Sequence, residues 1–379
     1  MGMPMLEQLK RKSTLLLLAL LVSLSGCSGP EKPKPVDLGA NVALVGINTA
    51  WTSRIGKLDF PLSIQAVENV LYVAGAGGQV AAVDSRTGAD VWRVSLGTEL
   101  SAGVGSDGRF AAVVSQENEL IVLDKGRQIW KQKLGALTLT APLVAGERVF
   151  VLSSDRSVSA FDAATGRKLW QQQRTGEALV LGQSGVILAV GDTLVTGLGG
   201  RLVGLNPANG NTRWSAPIAT SRGVNEIERL VDLVAGVSRD GQQICVRAFQ
   251  SAVGCVDTSK GGVTWVKPAF GFAGVHGNAN TLVGTEKDGK VVAWRRTDGE
   301  VLWTSERLRY RALSAPLMVG QLIVVGDESG MVHFLSREDG AALNRLPTDG
   351  SAVVAAPVLV GNTVVVVTQA GGVFGFKPE

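Results

Sequence analysis

The sequence predicts an all-β protein: an eight-bladed β-propeller of four-stranded antiparallel blades, with the ring closed by the N-terminal strand. Three observations carry this. A turn-and-tryptophan motif recurs along the chain, a second Ala-Pro motif recurs upstream of it, and 48 glycines with 45% apolar residues fall into short alternating runs bounded by turns.

The first residues belong to targeting and not to the fold. Lys10, Arg11 and Lys12 precede a leucine-dominated run, Leu15 to Leu24. That run is shorter than the roughly 20 apolar residues a membrane-spanning helix needs. It ends at Leu24, Ser25, Gly26 and Cys27. This segment resembles the lipobox of bacterial lipoproteins, which implies cleavage after Gly26 and acylation of Cys27 with N-acyl and S-diacylglycerol groups. Ser28 follows the cysteine where an Asp commonly retains a lipoprotein in the inner membrane, so the resemblance implies sorting to the outer membrane. Residues 27–40 carry Pro30, Pro33 and Pro35 among charged side chains and read as an extended tether. The propeller is expected over 41–379.

Removing residues 1–26 leaves 353 of the 379 residues and lowers the formal charge from +4 to +2, because Lys10, Arg11, Lys12 and Glu7 leave together. The mature chain has ample length for a large core. No Lys/Arg run marks a nucleic-acid surface.

Within 41–379 an Asp or Asn, a short turn and a Gly lead to a Trp four residues on. Asp84 and Gly88 lead to Trp92, Asp162 and Gly166 to Trp170, and Asn206 and Gly210 to Trp214. Asp257 and Gly261 lead to Trp265, Asp298 and Gly299 to Trp303, and the shortened Asp124 and Gly126 to Trp130. A degenerate copy, Asp339 and Gly340, leads to Asn344. Asp and Asn side chains bond backbone N–H groups two residues on, and Gly accepts φ > 0, so each motif is a tight turn between antiparallel strands. The Trp strand then offers a large flat surface to a neighbouring sheet. Ala141-Pro142, Ala315-Pro316 and Ala356-Pro357 each open a further hairpin. Four strands per repeat, repeated radially, make propeller blades.

Trp51, Trp92, Trp130, Trp170, Trp214, Trp265, Trp303 and Asn344 stand at intervals of 41, 38, 40, 44, 51, 38 and 41. After Asn344 the chain has room for three strands and no Trp strand. Pairing of 48–55, with Trp51, beside the last three strands closes the count at eight. Trp294 falls three residues before its turn motif and is expected to pack between blades from a third strand.

The chemistry-bearing residues are few. His276 and His333 are the two histidines. Both fall in strand patterns and are expected to be structural, which leaves little for a His-based metal site or a Ser/His/Asp triad. Cys245 and Cys255 align with one hairpin of the preceding repeats at a common level. An oxidising compartment allows a disulfide there, and two small buried thiols are the alternative.

Function enters where a repeat is broken. The 51-residue interval between Trp214 and Trp265 contains a charged stretch, 221–232, and the spacing of Ile227, Leu230 and Leu233 suits a helical turn or two. A second irregularity is Leu179 and Leu181 in the link that follows Trp170.

The turn-and-Trp motif resembles the tryptophan-docking motif of quinoprotein alcohol dehydrogenases, in which it is architectural. Those enzymes also carry adjacent cysteines, acidic metal ligands and an axial Asp, and this chain has no vicinal cysteine pair. A dehydrogenase using pyrroloquinoline quinone (PQQ) on the same fold is the alternative reading. The whole chain more specifically resembles the BamB (YfgL) family, the propeller lipoproteins of the outer-membrane β-barrel assembly machinery. The lipobox, the tether, the repeats and the run Glu226, Ile227, Glu228, Arg229, Leu230, Val231, Asp232 carry this resemblance. It implies a non-catalytic scaffold without a cofactor, held at the outer membrane and facing the periplasm. It implies binding to a POTRA domain of BamA, links to the other lipoproteins through BamA, and a role near unfolded outer-membrane clients. Carried over residue by residue, the family's contact positions are Leu179, Leu181, Glu226, Arg229 and Asp232. The leucines are expected as apolar anchors, with Arg229 and Asp232 facing partner charges. The family often has Arg after Leu-x-Leu, where Gly182 stands, and a second acid after Asp232, where Val234 stands.

Overall fold

The computed structural model describes residues 33–173, 181–220 and 231–379, all as strands and connections. The strands form eight four-stranded antiparallel sheets, seven of them running from an inner to an outer strand in chain order, and together they make an eight-bladed β-propeller. Blade one runs from Gln65–Val67 to Asp90–Ser95, and blade two from Leu100–Ser106 to Arg127–Lys133. Blade three runs from Leu143–Ala145 to Lys168–Gln172, blade four from Ile187–Val190 to Thr212–Pro217, and blade five from Leu233–Asp240 to Gly262–Pro268. Blade six runs from Val275–Gly277 to Val301–Ser305, and blade seven from Leu317–Val319 to Ala342–Pro347. Blade eight takes its three inner strands from the C-terminus and its outer strand, Ile47–Arg54, from the N-terminal side.

The core lies between sheets rather than at one centre. One buried cluster joins Trp51, Leu71, Val83, Val104, Val113 and Val365, which come from blades eight, one and two. Each tryptophan of the turn motif, and Trp51, sits on an outer strand just after a one-residue bulge and opposite a mostly small residue of the third strand. Trp92 faces Ala82, Trp170 faces Ala160, Trp214 faces Gly204 and Trp303 faces Ala293. The small partner lets the ring lie flat toward the next blade. There the indole N–H donates to a turn carbonyl: Trp51 to Ser85, Trp130 to Ala163, Trp170 to Pro207, Trp265 to Arg296 and Trp303 to Arg337, at 2.8–3.0 Å.

The turn glycine completes the contact. Gly166 has φ of 72°, and a Cβ there would stand 2.7 Å from the Trp130 ring. The glycines at 88, 126, 210, 261, 299 and 340 repeat this geometry under the tryptophan of the preceding blade. The motif therefore needs Gly twice over, for its backbone angle and for the ring above it.

Blade seven reverses the sizes. Phe334 stands opposite Asn344, and its ring packs edge-on against Phe376 of blade eight, with centroids 6.2 Å apart. The bulk comes from the third strand, so the outer strand needs no Trp. Asn344 keeps the polar half of the job: its Nδ2 donates to the Val45 carbonyl at 2.8 Å. Blade eight has no turn at that point, because its third and outer strands come from distant parts of the chain, with Glu379 N–H donating to Gly46 O at 3.1 Å.

The segment ahead of Ile47 is fixed along blade seven and the link that enters it. Leu44 N–H donates to Leu343 O at 2.7 Å, and Val36 N–H to Arg309 O at 3.1 Å. Arg345 donates to the carbonyls of Leu38 and Gly39, and Arg311 to that of Val36. The chain thus already lies on the ring at Val36, ahead of the expected start at 41.

Trp294 is buried on a third strand between blades. Cys245 and Cys255 face each other across the second and third strands of blade five, with Cα atoms 4.0 Å apart, and are joined as a disulfide. The helical periodicity read through Leu233 ends differently. Leu233 opens the inner strand of blade five and is buried there, and its hydrophobic spacing serves the sheet. Ile227 and Leu230 lie outside the described residues.

Trp130→Ala is expected to lower the unfolding free energy by about 3–5 kcal/mol, the usual cost of truncating a packed indole. Gly166→Val is expected to cost at least about 1 kcal/mol from its left-handed backbone alone, before the clash with Trp130. Chemical denaturation of the purified propeller measures both, and unchanged midpoints would contradict the docking role.

Candidate partner-binding site

Blade topology divides the connections between two faces. The turns bearing the docking glycines lie on one. The links from each outer strand to the next inner strand lie on the other, together with the middle hairpins. Leu181 and Asp232 both belong to this second face.

Asp232 precedes the inner strand of blade five, and Leu181 lies in the link from blade three to blade four. The Leu181 N–H donates to Asp232 Oδ2 at 3.1 Å. The other carboxylate oxygen stands 3.5 Å from Arg156 Nη2, in the middle hairpin of blade three. One carboxylate therefore joins three successive blades at one point. The neighbouring backbone is pinned as well. Gly185 N–H donates to Thr140 Oγ1 at 2.8 Å, Ala235 N–H donates to Ser184 O at 2.8 Å, and Gly185 bridges to Val234. Leu139, Leu152, Leu181 and Val234 line the shallow cleft around this latch.

Asp232 is 17% exposed. Burial raises its pKa, and the Leu181 N–H and the Arg156 guanidinium offset only part of that. Its charge is engaged within the chain by Arg156 and the Leu181 N–H, and it holds the backbone that carries Leu181. Leu179, Glu226 and Arg229 lie outside the described residues. Sequence reasoning missed Arg156 and Thr140. Arg156 occupies a hairpin position with φ of 62°, and nothing local marks it as the partner of a residue 76 positions away.

The axial channel holds about 540 Å³. Its lining is mostly small and apolar, including Leu62, Ala235, Leu313 and Val353, and Glu328 is its carboxylate. The described residues contain no group of three or more His, Cys, Asp or Glu placed to hold a metal ion. His276 accepts from Met318 N–H, and His333 pairs with the buried Asp327 beneath it. This donor set does not fit a quinone and calcium centre of the alcohol dehydrogenase kind.

A family model described as outer membrane protein assembly factor BamB matches residues 76–305. The outer membrane protein assembly factor BamB of Burkholderia pseudomallei is 37% identical over 95% of this chain and 96% of its own length. This chain belongs to the BamB family. The family's protein from Bordetella pertussis is 33% identical over 93% of both chains. Among solved structures, BamB from Moraxella catarrhalis superposes with a TM-score of 0.79 at 24% identity, over 87% of this chain and 99% of that one. The quinohemoprotein alcohol dehydrogenase of Comamonas testosteroni shares the fold, with a TM-score of 0.68 at 14% identity, over 90% of this chain and 79% of its own. Membership makes the chain an outer-membrane protein assembly factor, and the dehydrogenase likeness concerns architecture.

The latch has a pH signature. A raised carboxylate pKa means that the folded state holds the proton more tightly than the unfolded chain. The stability this group contributes is therefore present at low pH and lost as pH rises through its folded pKa. Asp232→Asn keeps an acceptor for Leu181 N–H and removes the buried charge. The variant should gain stability relative to the parent as pH rises above about 4, whereas Asp232→Ala should be less stable than Asp232→Asn throughout. Melting temperatures across this range measure it; a parent that gains on Asp232→Asn with rising pH would contradict the assignment.

Proposed function

We propose that this chain is a non-catalytic scaffold lipoprotein. Acyl groups on Cys27 hold it in the outer membrane, the propeller faces the periplasm, and it binds a POTRA domain of BamA to support folding and insertion of outer-membrane β-barrels. The other lipoproteins of the machinery join it through BamA, and unfolded clients pass close to it.

The observation that carries this reading is the Asp232 latch. An apolar anchor gains affinity when its backbone is ordered before binding, because less conformational entropy is lost in the complex. Asp232 provides that order for Leu181, on the face where the longest repeat interval also emerges. Leu179 and Leu181 are the proposed apolar anchors, and Glu226, Arg229 and Asp232 the proposed charged contacts, the usual division of labour in a compact interface. The small apolar lining of the axial channel adds support for a scaffold over an enzyme.

The test is purification of the full-length chain from detergent-solubilised outer membranes. The parent should carry with it a barrel protein bearing POTRA domains. The pair Leu179→Asp and Leu181→Asp should keep the parent's melting temperature within a few degrees and lose the partner by tenfold or more, since about 1.4 kcal/mol corresponds to tenfold. A folded double variant that retains its partner removes the leucines from the interface. A parent that enriches no such protein removes the function.

A further inference from the structure

Blade five departs from the repeat beside the latch. In six blades the middle hairpin donates one backbone N–H to the carbonyl of the incoming link. The donors are Ala76, Gln116, Ser154, Phe249, Lys287 and Gln369, and the acceptors are Lys57, Glu99, Leu137, Asp232, Phe270 and Ala352. Among these donors Phe249 is the one aromatic residue, and its acceptor is Asp232 itself, at 3.0 Å. The Phe249 ring lies 5.4 Å from that of Phe272, in the link to blade six. Phe272 is 43% exposed and Phe270 52%. Lys287 Nζ stands 5.9 Å from the centre of the Phe270 ring.

This loop exposes two phenylalanines and is tied down by a buried ion pair and several backbone hydrogen bonds. Arg247 is fully buried two residues before Phe249 and pairs with Glu286 at 3.0 Å. Glu286 also accepts from Phe270 N–H, Lys287 N–H donates to Phe270 O at 3.0 Å, and Gln250 N–H donates to Gly271 O at 3.0 Å. A Cβ on Gly271 would fall 2.5 Å from Arg247 Nη1, so glycine between the two phenylalanines lets the loop rest on the guanidinium. A buried ion pair carries a large desolvation cost and adds little net stability. Scattered exposed apolar residues need no explanation, but a packed aromatic pair with a further exposed phenylalanine two residues away on the same hydrogen-bonded loop does.

We propose that the docking face continues from the Leu181–Asp232 latch onto a rigid aromatic platform of Phe249, Phe270 and Phe272. This platform receives apolar side chains of the same periplasmic domain, with a carboxylate of that domain set against Lys287. The inference rests on the docking role proposed above. Continuity with the latch identifies the occupant: Asp232 holds Leu181 through its carboxylate and the Phe249 hairpin through its carbonyl, so a domain seated on one lies against the other. Arg247 and Glu286 are positioning residues for the platform.

A photo-crosslinking phenylalanine analogue, placed singly at 181, 270 and 91 in the full-length chain in its native membrane, tests this. Val91 is exposed on the outer strand of blade one and serves as the control. Adducts with the same POTRA-bearing protein at 181 and 270, and none at 91, are expected. An adduct at 181 with none at 270, or with a different protein at 270, overturns the platform and leaves the docking role intact. No adduct at 181 overturns both. Independently, the pair Phe270→Ser and Phe272→Ser should weaken the complex by about tenfold, a shift typical of apolar anchors, with an unchanged melting temperature. Unchanged affinity in that folded variant overturns the platform.

Discussion

In seven successive contacts the indole of one blade lies over the turn glycine of the next, and the remaining architecture depends on that contact. It sets the distance between sheets and requires a left-handed turn residue with no side chain. It also places a small residue opposite most of the rings, such as Ala82 opposite Trp92 and Gly204 opposite Trp214. Because every sheet covers its neighbour, no blade carries its apolar surface alone, and the ring is stable only when closed. Closure falls where the chain ends meet. There Phe334 and Asn344 exchange the bulk and the hydrogen bond that a tryptophan otherwise combines, and the segment from Val36 is tied across blade seven by Arg311 and Arg345.

The frame confines variation to one face. Glycine turns under indole rings tolerate little change, so the docking-turn face is uniform from blade to blade. The links and middle hairpins on the opposite face are free of that constraint. They carry the features that break the repeat: the Asp232 latch, the Arg156 hairpin, and the aromatic group above Arg247 and Glu286. A rigid ring with one variable face is suited to holding other proteins in fixed relation.

The blade count was legible because a strand repeat is a local pattern. A turn residue, a glycine and a tryptophan occupy fixed offsets, and Trp51, stranded at the N-terminal end, had to pair with the strands left over after Asn344. The reason for Asn344 itself was not legible, since it depends on Phe334 across the sheet. The site divides in the same way. Leu181 and Asp232 stood out as interruptions of the repeat, but their hydrogen bond spans 51 positions and has no local signature. The charge of Asp232 read as a surface feature, because burial of a carboxylate by two neighbouring blades is a tertiary effect. Arg247 carries no local mark of its burial, which depends on pairing with Glu286, 39 positions away. Leu233 suggested a helical turn because an apolar spacing of three over a short window does not distinguish a helix from the approach to a buried strand.

The central claim is that one face of a uniform ring is specialised for docking and is ordered beforehand by Asp232. Amide hydrogen exchange of the chain, alone and with its membrane partner, measures this most directly. The account predicts that the Leu181 amide is protected in the free chain, and that the partner adds protection at the links entering blades three to six while leaving the turns around Gly88, Gly166 and Gly299 unchanged. A free Leu181 amide that exchanges as fast as an open loop, or partner protection confined to the glycine-turn face, would contradict it.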